Sequence, residues 1–310
     1  MRGYDNLHND AAWLDISARG KIRVMGEDRA RFLHAMSTNH ITGLMPETGC
    51  YAFFLTAAGR ILADANVLCR ADSFLLDTEP ETRQKLIEHL EKFIIADDVT
   101  LEDVTPALAT VAVEGPRSHD VLTAAGVPAI GINYGSSVQW GSNLAARLSV
   151  TGGPGFFIFA PTVDKREILR QIDAAGAVSG DEEAFRTVRL EFGKPRYGED
   201  ISERYLAQET GRTAAMHFQK GCYIGQEIVE RTRSRGLIAR VLQPLEIEGQ
   251  KAPGPGTKLQ AAGAAAGEIT SAAYSPALGR VVALAYLRVQ YAEPGTAMMA
   301  GGLEARVRVP

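Results

Sequence analysis

The sequence has few residues that could hold a small disulfide-rich domain or a metal cluster together. Its 310 residues include only three cysteines, Cys50, Cys69 and Cys222. An odd number of widely separated thiols is not a disulfide framework. A stable iron–sulfur cluster or a structural zinc site usually takes about four ligands, which cysteine alone does not provide here. We therefore expect reduced thiols and no resident metal.

Long apolar runs are also absent. No segment approaches the roughly 18 consecutive apolar residues of a membrane span. Residues 1–13, MRGYDNLHNDAAW, lack the apolar centre of a secretion signal. We therefore expect a cytoplasmic protein that does not contact a membrane.

The chain carries no large excess of one charge. Its formal net charge is −4, which argues against a surface built entirely to hold nucleic acid. Hydrophobic residues make up 45% and charged residues 23%, the composition of an ordinary globular protein. The length favours two domains, with a core large enough to need no disulfides.

The pattern of elements changes along the chain. Segments 50–56 and 61–68 read as two strands of a hairpin with Gly59 in its turn, and strands and helices then alternate irregularly, as in mixed-sheet α+β units. After about residue 236 the pattern is all β, which favours a small barrel or sandwich. The strands expected there are Leu237–Glu248, Gly267–Ala273, Arg280–Arg288 and Leu303–Val309.

Several common catalytic motifs are missing. The Gly-Lys pair Gly193-Lys194 lacks the preceding glycine and following Ser or Thr of a P-loop. There is no Gly-x-Ser-x-Gly elbow and no His-Glu-x-x-His sequence. These absences leave a classical hydrolase or kinase unsupported.

Glu191 stands out in the predicted helix DEEAFRTVRLEFG. It follows Val188 by three residues and Ala184 by seven, so it points with the apolar stripe rather than with Arg186 and Arg189. A carboxylate on such a face needs a partner. That partner is either a nearby arginine or a ligand edge with two adjacent N–H donors, such as a pterin.

A second feature is the octet KGCYIGQE at residues 220–227. Cys222 precedes the expected start of a helix at Gln226, and Lys220 lies two residues before it. The start of that helix and the Lys220 ammonium would both favour the thiolate form of Cys222. The simpler alternative is a small buried hydrophobic residue.

A third feature is the run of basic residues that follows the octet. It comprises Arg231, Arg233 and Arg235, with Lys220 and Arg240 near in sequence. Such a run is usually a solvated face. Beside a pocket it would suit an anionic tail or an RNA phosphate.

Taken together, these segments resemble a known family. The octet resembles the signature of the YgfZ-type folate-binding proteins, which assist iron–sulfur cluster assembly and are related to the glycine-cleavage T-protein, an aminomethyltransferase. The resemblance covers nearly the whole chain. Its other matches, in the same order as in the family, are GEDRARFLHAMSTNHITGL, AAGRILAD, RLEFGKPRYGED and GEITSAAYSPALGRVVALAYL.

The resemblance implies a fold and a ligand. It implies an α+β cloverleaf of three lobes around a central hole that holds tetrahydrofolate. Residues 1–235 would form two intertwined mixed-sheet α/β lobes, and residues 236–310 a small C-terminal β-barrel. Glu191 would take the pterin edge, with Tyr223 and Arg231 also at the folate.

The resemblance also bears on Asp64, at the end of AAGRILAD. It matches the second of two adjacent aspartates in the T-protein, where a carboxylate serves folate chemistry. Here the preceding residue is Ala63, so the pair is broken. Asp64 is equally well explained as the polar residue of an alternating strand.

Three functional hypotheses follow. The leading one is a tetrahydrofolate-binding factor for assembly or repair of iron–sulfur enzymes, in which Cys222 handles sulfur, iron or a one-carbon adduct and Lys220 tunes it. The second is a folate-dependent aminomethyltransferase-like enzyme with Asp64 as the polar catalytic group. The third is an RNA-binding module that uses the basic run. The expected partners are a reduced folate, iron–sulfur client or assembly proteins and, for the third hypothesis, tRNA; we expect a monomer.

Overall fold

Two open sheets and a closed barrel organise the chain. The computed structural model describes residues 1–236 and 238–308, without the side chain of Arg235. The helices are α1 Tyr4–Asn9, α2 Arg29–Met36, α3 Arg83–Glu91, α4 Ser118–Ala124, α5 Lys165–Ala174, α6 Glu182–Glu191 and α7 Gln226–Arg235. The strands are β1 Ala12–Asp15, β2 Gly20–Met25, β3 Gly49–Leu55, β4 Ile61–Cys69, β5 Phe74–Thr78, β6 Thr100–Asp103, β7 Leu108–Glu114, β8 Ser137–Trp140, β9 Asn143–Ala146, β10 Gly155–Pro161, β11 Val178–Ser179, β12 Arg240–Ile247, β13 Lys258–Ala261, β14 Ala264–Ser275, β15 Arg280–Arg288, β16 Ala297–Ala300 and β17 Leu303–Val307.

The first lobe is an antiparallel sheet of five strands in the order β3-β4-β5-β2-β6. Apolar side chains of α2 and α3, such as Phe32 and Leu86, pack on one face of it. The predicted hairpin is β3 and β4, and Gly59 lies in its turn with φ +71°. Glycine tolerates this left-handed conformation better than other residues. The hairpin prediction is therefore confirmed.

The second lobe is a six-stranded sheet in the order β11-β1-β7-β10-β9-β8. Its first strand, β1, comes before the whole of the first lobe's sheet in sequence, and β7 to β11 come after it. The chain therefore starts in the second lobe, builds the first and then returns to the second.

The C-terminal part is a closed barrel in the order β12-β15-β14-β13-β16-β17. Two of its strands, β13 and β16, were not foreseen from the sequence, because they are only four residues long. The expected strand ends Leu237 and Val309 lie outside the described residues. The α+β fold with two sheet lobes and a barrel is confirmed.

The barrel is fixed to the lobes through polar and aromatic contacts. The rings of Tyr205 and Tyr286 stack at 3.7 Å, and the Arg240 guanidinium lies 4.8 Å from the first of these rings. In addition, Asp200 accepts hydrogen bonds from the hydroxyls of Thr270 and Ser271, both on β14. Within the described residues, no helix is long and apolar enough to span a membrane.

Candidate functional site

A cavity of about 900 Å³ lies between the two sheet lobes. Its wall is formed by the end of β1, the middle of β3 and β4, the turn before β10 and the segments that follow α6 and precede α7. The described residues that line it all fall between Leu14 and Ala215, so the barrel adds none to its wall. The size is that of a small-molecule site.

Asp64 is the most buried carboxylate on the cavity wall, with 7% of its surface exposed. The Tyr51 hydroxyl donates a hydrogen bond of 2.6 Å to its Oδ2 atom. Burial raises the pKa of Asp64 to about 6, and the negative charge of Glu79 adds to the rise. A carboxyl group with this pKa can hold or release a proton near neutral pH.

A chain of hydrogen bonds fixes the strands around Asp64. Asn66 lines the cavity two residues further along β4, and its Nδ2 donates to Asp77 Oδ2 at 2.7 Å. The hydroxyl of Tyr134 donates to the Asn66 side-chain oxygen from the opposite lobe. Arg19 binds Asp77 with two hydrogen bonds, at 2.9 and 2.8 Å, and also pairs with Glu79. Each side chain in this hydrogen-bonded chain therefore has a partner that limits its movement.

The turn before β10 forms another part of the wall and is organised by Glu114. This fully buried carboxylate accepts hydrogen bonds from the backbone amides of Val150 and Thr151 and from the Ser149 hydroxyl. Gly152, next in the turn, has φ +96°. The buried acid thus replaces water for backbone groups that would otherwise be unpaired.

Lys194 crosses from the end of α6 to this turn. Its Nζ atom donates to the Ser149 carbonyl, and it is the only lysine among the described cavity-lining residues. Burial lowers the pKa of Lys194 to about 8. The wall therefore offers one half-buried amine in addition to the buried acid Asp64.

Most arginines on the wall are neutralised by carboxylates within 4 Å. The pairs are Arg19 with Asp77 and Glu79, Arg186 with Glu199, Arg189 with Glu199 and Asp200, and Arg196 with Glu79 and Glu81. Arg147 and Arg212 also line the cavity, but neither forms such a pair with any described residue.

The structure places Glu191 away from the cavity. As the helical spacing predicts, its side chain is buried, with 6% exposed. The Tyr4 hydroxyl donates to its Oε1 atom, and His8 Nε2 lies 2.8 Å from Oε2. Both partners belong to α1, so the carboxylate joins α1 to α6. Glu191 is thus not among the described residues that line the cavity, and its role at a ligand stays a prediction.

The spacing argument is also corrected for Arg189, which was expected to point away from the apolar stripe. Arg189 is 2% exposed, because its guanidinium is paired with Glu199 and Asp200. A buried cation is tolerated when its donors are satisfied by carboxylates in this way.

The octet lies outside the cavity wall as well. Cys222 is exposed, whereas Lys220 is buried and its Nζ donates to the backbone carbonyls of His34, Ser37 and Asn39. The His34 and Ser37 carbonyls lie at the end of α2, where helix carbonyls need donors, and Asn39 follows in the loop. Lys220 therefore holds the end of α2 and the residues after it, and its effect on Cys222 stays a prediction. Burial lowers the pKa of Lys220 to about 7.

The remaining predicted site residues surround the octet. Tyr223 is half-buried with its ring 4.9 Å from the Lys220 Nζ atom, and α7 starts at Gln226 as expected. Arg231 and Arg233 are exposed on α7 and do not line the cavity, in the described part of the chain. Their use for folate or RNA stays a prediction.

Several cavity residues were not singled out from the sequence. Tyr51, Asn66, Lys194 and Arg212 carry no local motif. The position of Asn66 could have been inferred from the sequence of its strand. Asp64 and Asn66 are two residues apart in the otherwise apolar strand ILADANVLC. That spacing places two polar side chains on the same face of β4. No group of three or more His, Cys, Asp or Glu side chains could hold a metal ion, among the residues that the structure describes.

Comparisons with known proteins agree with this architecture. A family model described as the GCVT N-terminal domain matches residues 2–220, and one described as the glycine cleavage T-protein C-terminal barrel domain matches residues 240–309. An aminomethyltransferase of Rubrobacter xylanophilus is 29% identical over 291 residues, covering 92% of this chain and 78% of that protein. An aminomethyltransferase of Streptomyces coelicolor is 30% identical over 301 residues, covering 92% of this chain and 80% of that protein.

The fold is also found in a solved relative. The crystal structure of glycine cleavage system aminomethyltransferase T from Bartonella henselae matches with a TM-score of 0.91 and 22% identity, covering 99% of this chain and 88% of that one. The first family model spans more than half of the present chain, and the second covers its barrel. The chain therefore belongs to the glycine cleavage T-protein family.

Proposed function

We propose that this protein is a folate-dependent one-carbon transferase of the aminomethyltransferase type, with Asp64 as its proton-handling residue. The family and the aminomethyltransferases among its relatives favour this hypothesis over the iron–sulfur accessory role. The observation that carries it is the buried Asp64 carboxyl on the wall of the central cavity. We expect it to act in the cytoplasm as a monomer.

The residues present fit tetrahydrofolate. The cavity volume of about 900 Å³ is at the upper end for a small-molecule site, and Tyr51, Tyr134 and Phe157 give it aromatic walls. Such walls suit a flat ring system. Asp64 keeps one carboxylate oxygen that takes no hydrogen bond from the described side chains, since Tyr51 occupies the other. That oxygen could accept an N–H donor of the ligand.

The chemistry assigned to Asp64 is a proton transfer. Tetrahydrofolate, when bound, supplies an amine nitrogen that takes up the one-carbon unit. Asp64, with its pKa near 6, would accept or return the proton that such a step moves. The Tyr51 hydrogen bond orients the carboxylate for this role, and the buried position limits competing protonation by water.

Titration of the full chain with tetrahydrofolate tests the proposal, followed by assay of one-carbon transfer from aminomethyl and N-methyl donors. The wild type should bind tetrahydrofolate and show turnover. Asp64→Asn keeps the shape and an acceptor for Tyr51 but loses the second acceptor oxygen, so its tetrahydrofolate affinity should fall at most about tenfold while turnover falls at least about 100-fold. Absence of both binding and turnover in the wild type would reject the proposal.

A second candidate function depends on the octet KGCYIGQE. We also propose a role in support of iron–sulfur enzymes, as the YgfZ-type resemblance implies, through the exposed Cys222 thiol. The observation that favours it is the contrast with Cys69, which is buried, and Cys50, which is partly buried. In cells, Cys222→Ser should lower the activity of iron–sulfur enzymes while leaving folate binding unchanged. Full iron–sulfur activity in that variant would remove this role.

A further inference from the structure

Lys220, the first residue of the octet, fixes the backbone that follows α2. Its Nζ atom donates to three carbonyls, those of His34, Ser37 and Asn39, the last at 2.8 Å. An ammonium group has three N–H donors, so all of them are used. Lys220 does not line the cavity in the described part of the chain. The position of Asn39 therefore depends on a residue behind the cavity wall.

The side chain of Asn39 extends this contact to the wall itself. Its Nδ2 atom donates to the backbone carbonyls of Tyr51 and Ala214, each at 2.9 Å, and its Oδ1 atom accepts from the amide of His40 at 2.8 Å. Both Nδ2 hydrogens are therefore used, and the orientation of the amide is determined. Tyr51 and Ala214 line the cavity, whereas Asn39 is not among the described residues that do. Asn39 thus joins two parts of the wall from behind.

Tyr51 needs this contact because β3 is the edge strand of its sheet. On one side Tyr51 pairs with Asn66 of β4, and the sheet order leaves no strand on the other side, within the described residues. An edge strand presents backbone groups that need other partners. The Thr38 amide donates to the Phe53 carbonyl at 2.9 Å, and Asn39 donates to the Tyr51 carbonyl. Asn39 therefore takes the place of a neighbouring strand at Tyr51.

The hydroxyl of Tyr51 carries this restraint to Asp64. It donates its 2.6 Å hydrogen bond to Asp64 Oδ2 from the far end of the side chain. A small tilt of the Tyr51 backbone would therefore displace the hydroxyl more than the backbone itself. Hydrogen bonds weaken steeply when their angle departs from its optimum. The geometry of the Tyr51–Asp64 bond thus depends on the donor that holds the Tyr51 carbonyl.

We propose that Asn39, supported by Lys220, is a positioning residue for the Tyr51–Asp64 pair. The proposal rests on the proposed function, because it concerns the carboxyl that handles the proton there. It adds no covalent step, and Asn39 acts only through Tyr51. The octet then contributes to the site from behind the cavity wall.

NMR titration of the full chain, labelled with ¹³C at aspartate carboxyls, tests this inference without added ligand. Asn39→Ala removes both Nδ2 hydrogen bonds, so Tyr51 should hold its bond to Asp64 less well. A weaker hydrogen bond to the carboxylate favours the protonated form, so the pKa of Asp64 should rise by at least about 0.5. Asn39→Ser should act in the same direction, because a hydroxyl has one donor and can serve only one of the two carbonyls. It keeps the test decisive if Asn39→Ala does not fold.

A double variant shows whether the effect passes through Tyr51. In the Tyr51→Phe background the hydroxyl is already gone, so Asn39→Ala should change the pKa of Asp64 by less than about 0.2 there. Lys220→Met, or Lys220→Gln where the first does not fold, should also raise this pKa in the wild-type background. That rise should vanish with Tyr51→Phe, whereas an effect of the lost positive charge would persist. A rise that persists would remove Lys220 from the proposal.

Ser37→Ala is the matched control. Its hydroxyl donates to the Leu33 carbonyl at 2.8 Å, at the end of α2, so the variant loses a buried hydrogen bond that does not reach the wall. Thermal melting should show a loss of stability in Ser37→Ala, while its Asp64 pKa stays as in wild type. Three results would overturn the proposal: an unchanged Asp64 pKa in the folded Asn39 variants, an equal rise in Ser37→Ala, or an additive rise in the double variant.

Folate titration and turnover assays on the same variants distinguish the two proposals. If tetrahydrofolate does not bind and no donor is turned over, while the Asp64 pKa still responds to Asn39 through Tyr51, the proposed function fails and the positioning role stands. If turnover depends on Asp64, but Asn39→Ala changes neither the Asp64 pKa nor the pH dependence of turnover, the positioning role fails alone.

Discussion

The hydroxyl of Tyr51 on β3 donates a 2.6 Å hydrogen bond to the carboxylate of Asp64 on the neighbouring strand β4. The two residues face one cavity, and burial raises the pKa of both groups. A hydrogen bond to the ionised form of an acid favours that form. Tyr51 therefore keeps the Asp64 pKa lower than burial alone would set it.

Replacing Tyr51 by Phe should raise the pKa of Asp64 above its value of about 6. A hydrogen bond to a charged group contributes about 1.5–3 kcal/mol, so a rise in the Asp64 pKa of about one to two units is expected. NMR titration of protein labelled with ¹³C at aspartate carboxyls measures it. Tyr134→Phe is the matched control, because that hydroxyl donates to Asn66 instead. An unchanged or lower Asp64 pKa in Tyr51→Phe would contradict the role given to this hydrogen bond.

The raised pKa of Asp64 also predicts how stability depends on pH. The folded-state pKa of about 6 exceeds the ordinary value of 3.8, so the folded protein binds the proton more tightly than the unfolded chain. Ionisation of Asp64 therefore costs no unfolding free energy below about pH 4. The cost grows as the pH rises from about 4 to about 6. The cost above pH 6 is on the order of 3 kcal/mol.

Asp64→Asn removes this dependence. Relative to wild type, the variant should gain up to about 3 kcal/mol in the free energy of unfolding between pH 4 and pH 7. Urea unfolding at a series of pH values measures the difference. Asp120→Asn, on the exposed side of α4, should leave the profile unchanged. A constant difference between Asp64→Asn and wild type across this range would show that Asp64 has an ordinary pKa.

Local sequence signals predicted the elements near the site well. The β3–β4 hairpin follows from two strand-like runs around Gly59, and α7 from the residues after the octet. Such features depend on neighbours in sequence, which spacing and turn chemistry describe. Asp64 was reached through a resemblance, and the structure places it on the cavity wall.

Long-range contacts limited the prediction of the site. The spacing in α6 correctly indicated that Glu191 is buried, but its partner Tyr4 is 187 residues away in sequence. Lys194 and Arg212 carry no local sequence signal, because their positions on the cavity wall follow from how the two lobes pack. Only the packed lobes show which charges are neutralised and which are not.

The three cysteines should differ sharply in reactivity. Burial raises the pKa of Cys50 to about 12 and also raises that of Cys69, while Cys222 is exposed. Because the thiolate is the reactive form, one thiol per chain should react rapidly with Ellman's reagent at pH 8, and three after denaturation. Cys222→Ser should lose the rapid phase. Rapid reaction of two thiols in native wild type would show that Cys50 or Cys69 is accessible.

Glu191→Gln tests whether this buried acid is structural or binds the ligand. In the structure its carboxylate joins α1 to α6 through Tyr4 and His8, so the variant should lose about 1–3 kcal/mol of unfolding free energy. Its affinity for tetrahydrofolate should stay within about twofold of wild type, because Glu191 does not line the cavity in the part of the chain described. Urea unfolding and folate titration on the same samples measure both quantities.

Tyr4→Phe provides the matched control, because it removes the same contact from the side of α1 and Tyr4 does not line the cavity in the described part of the chain. A similar loss of stability in both variants, with folate affinity retained, assigns Glu191 to the packing of α1 against α6. A tenfold loss of folate affinity in Glu191→Gln but not in Tyr4→Phe would instead require the carboxylate to turn toward the ligand when folate binds. The resemblance would then describe the bound state correctly, and the pairing with α1 would belong to the empty protein alone.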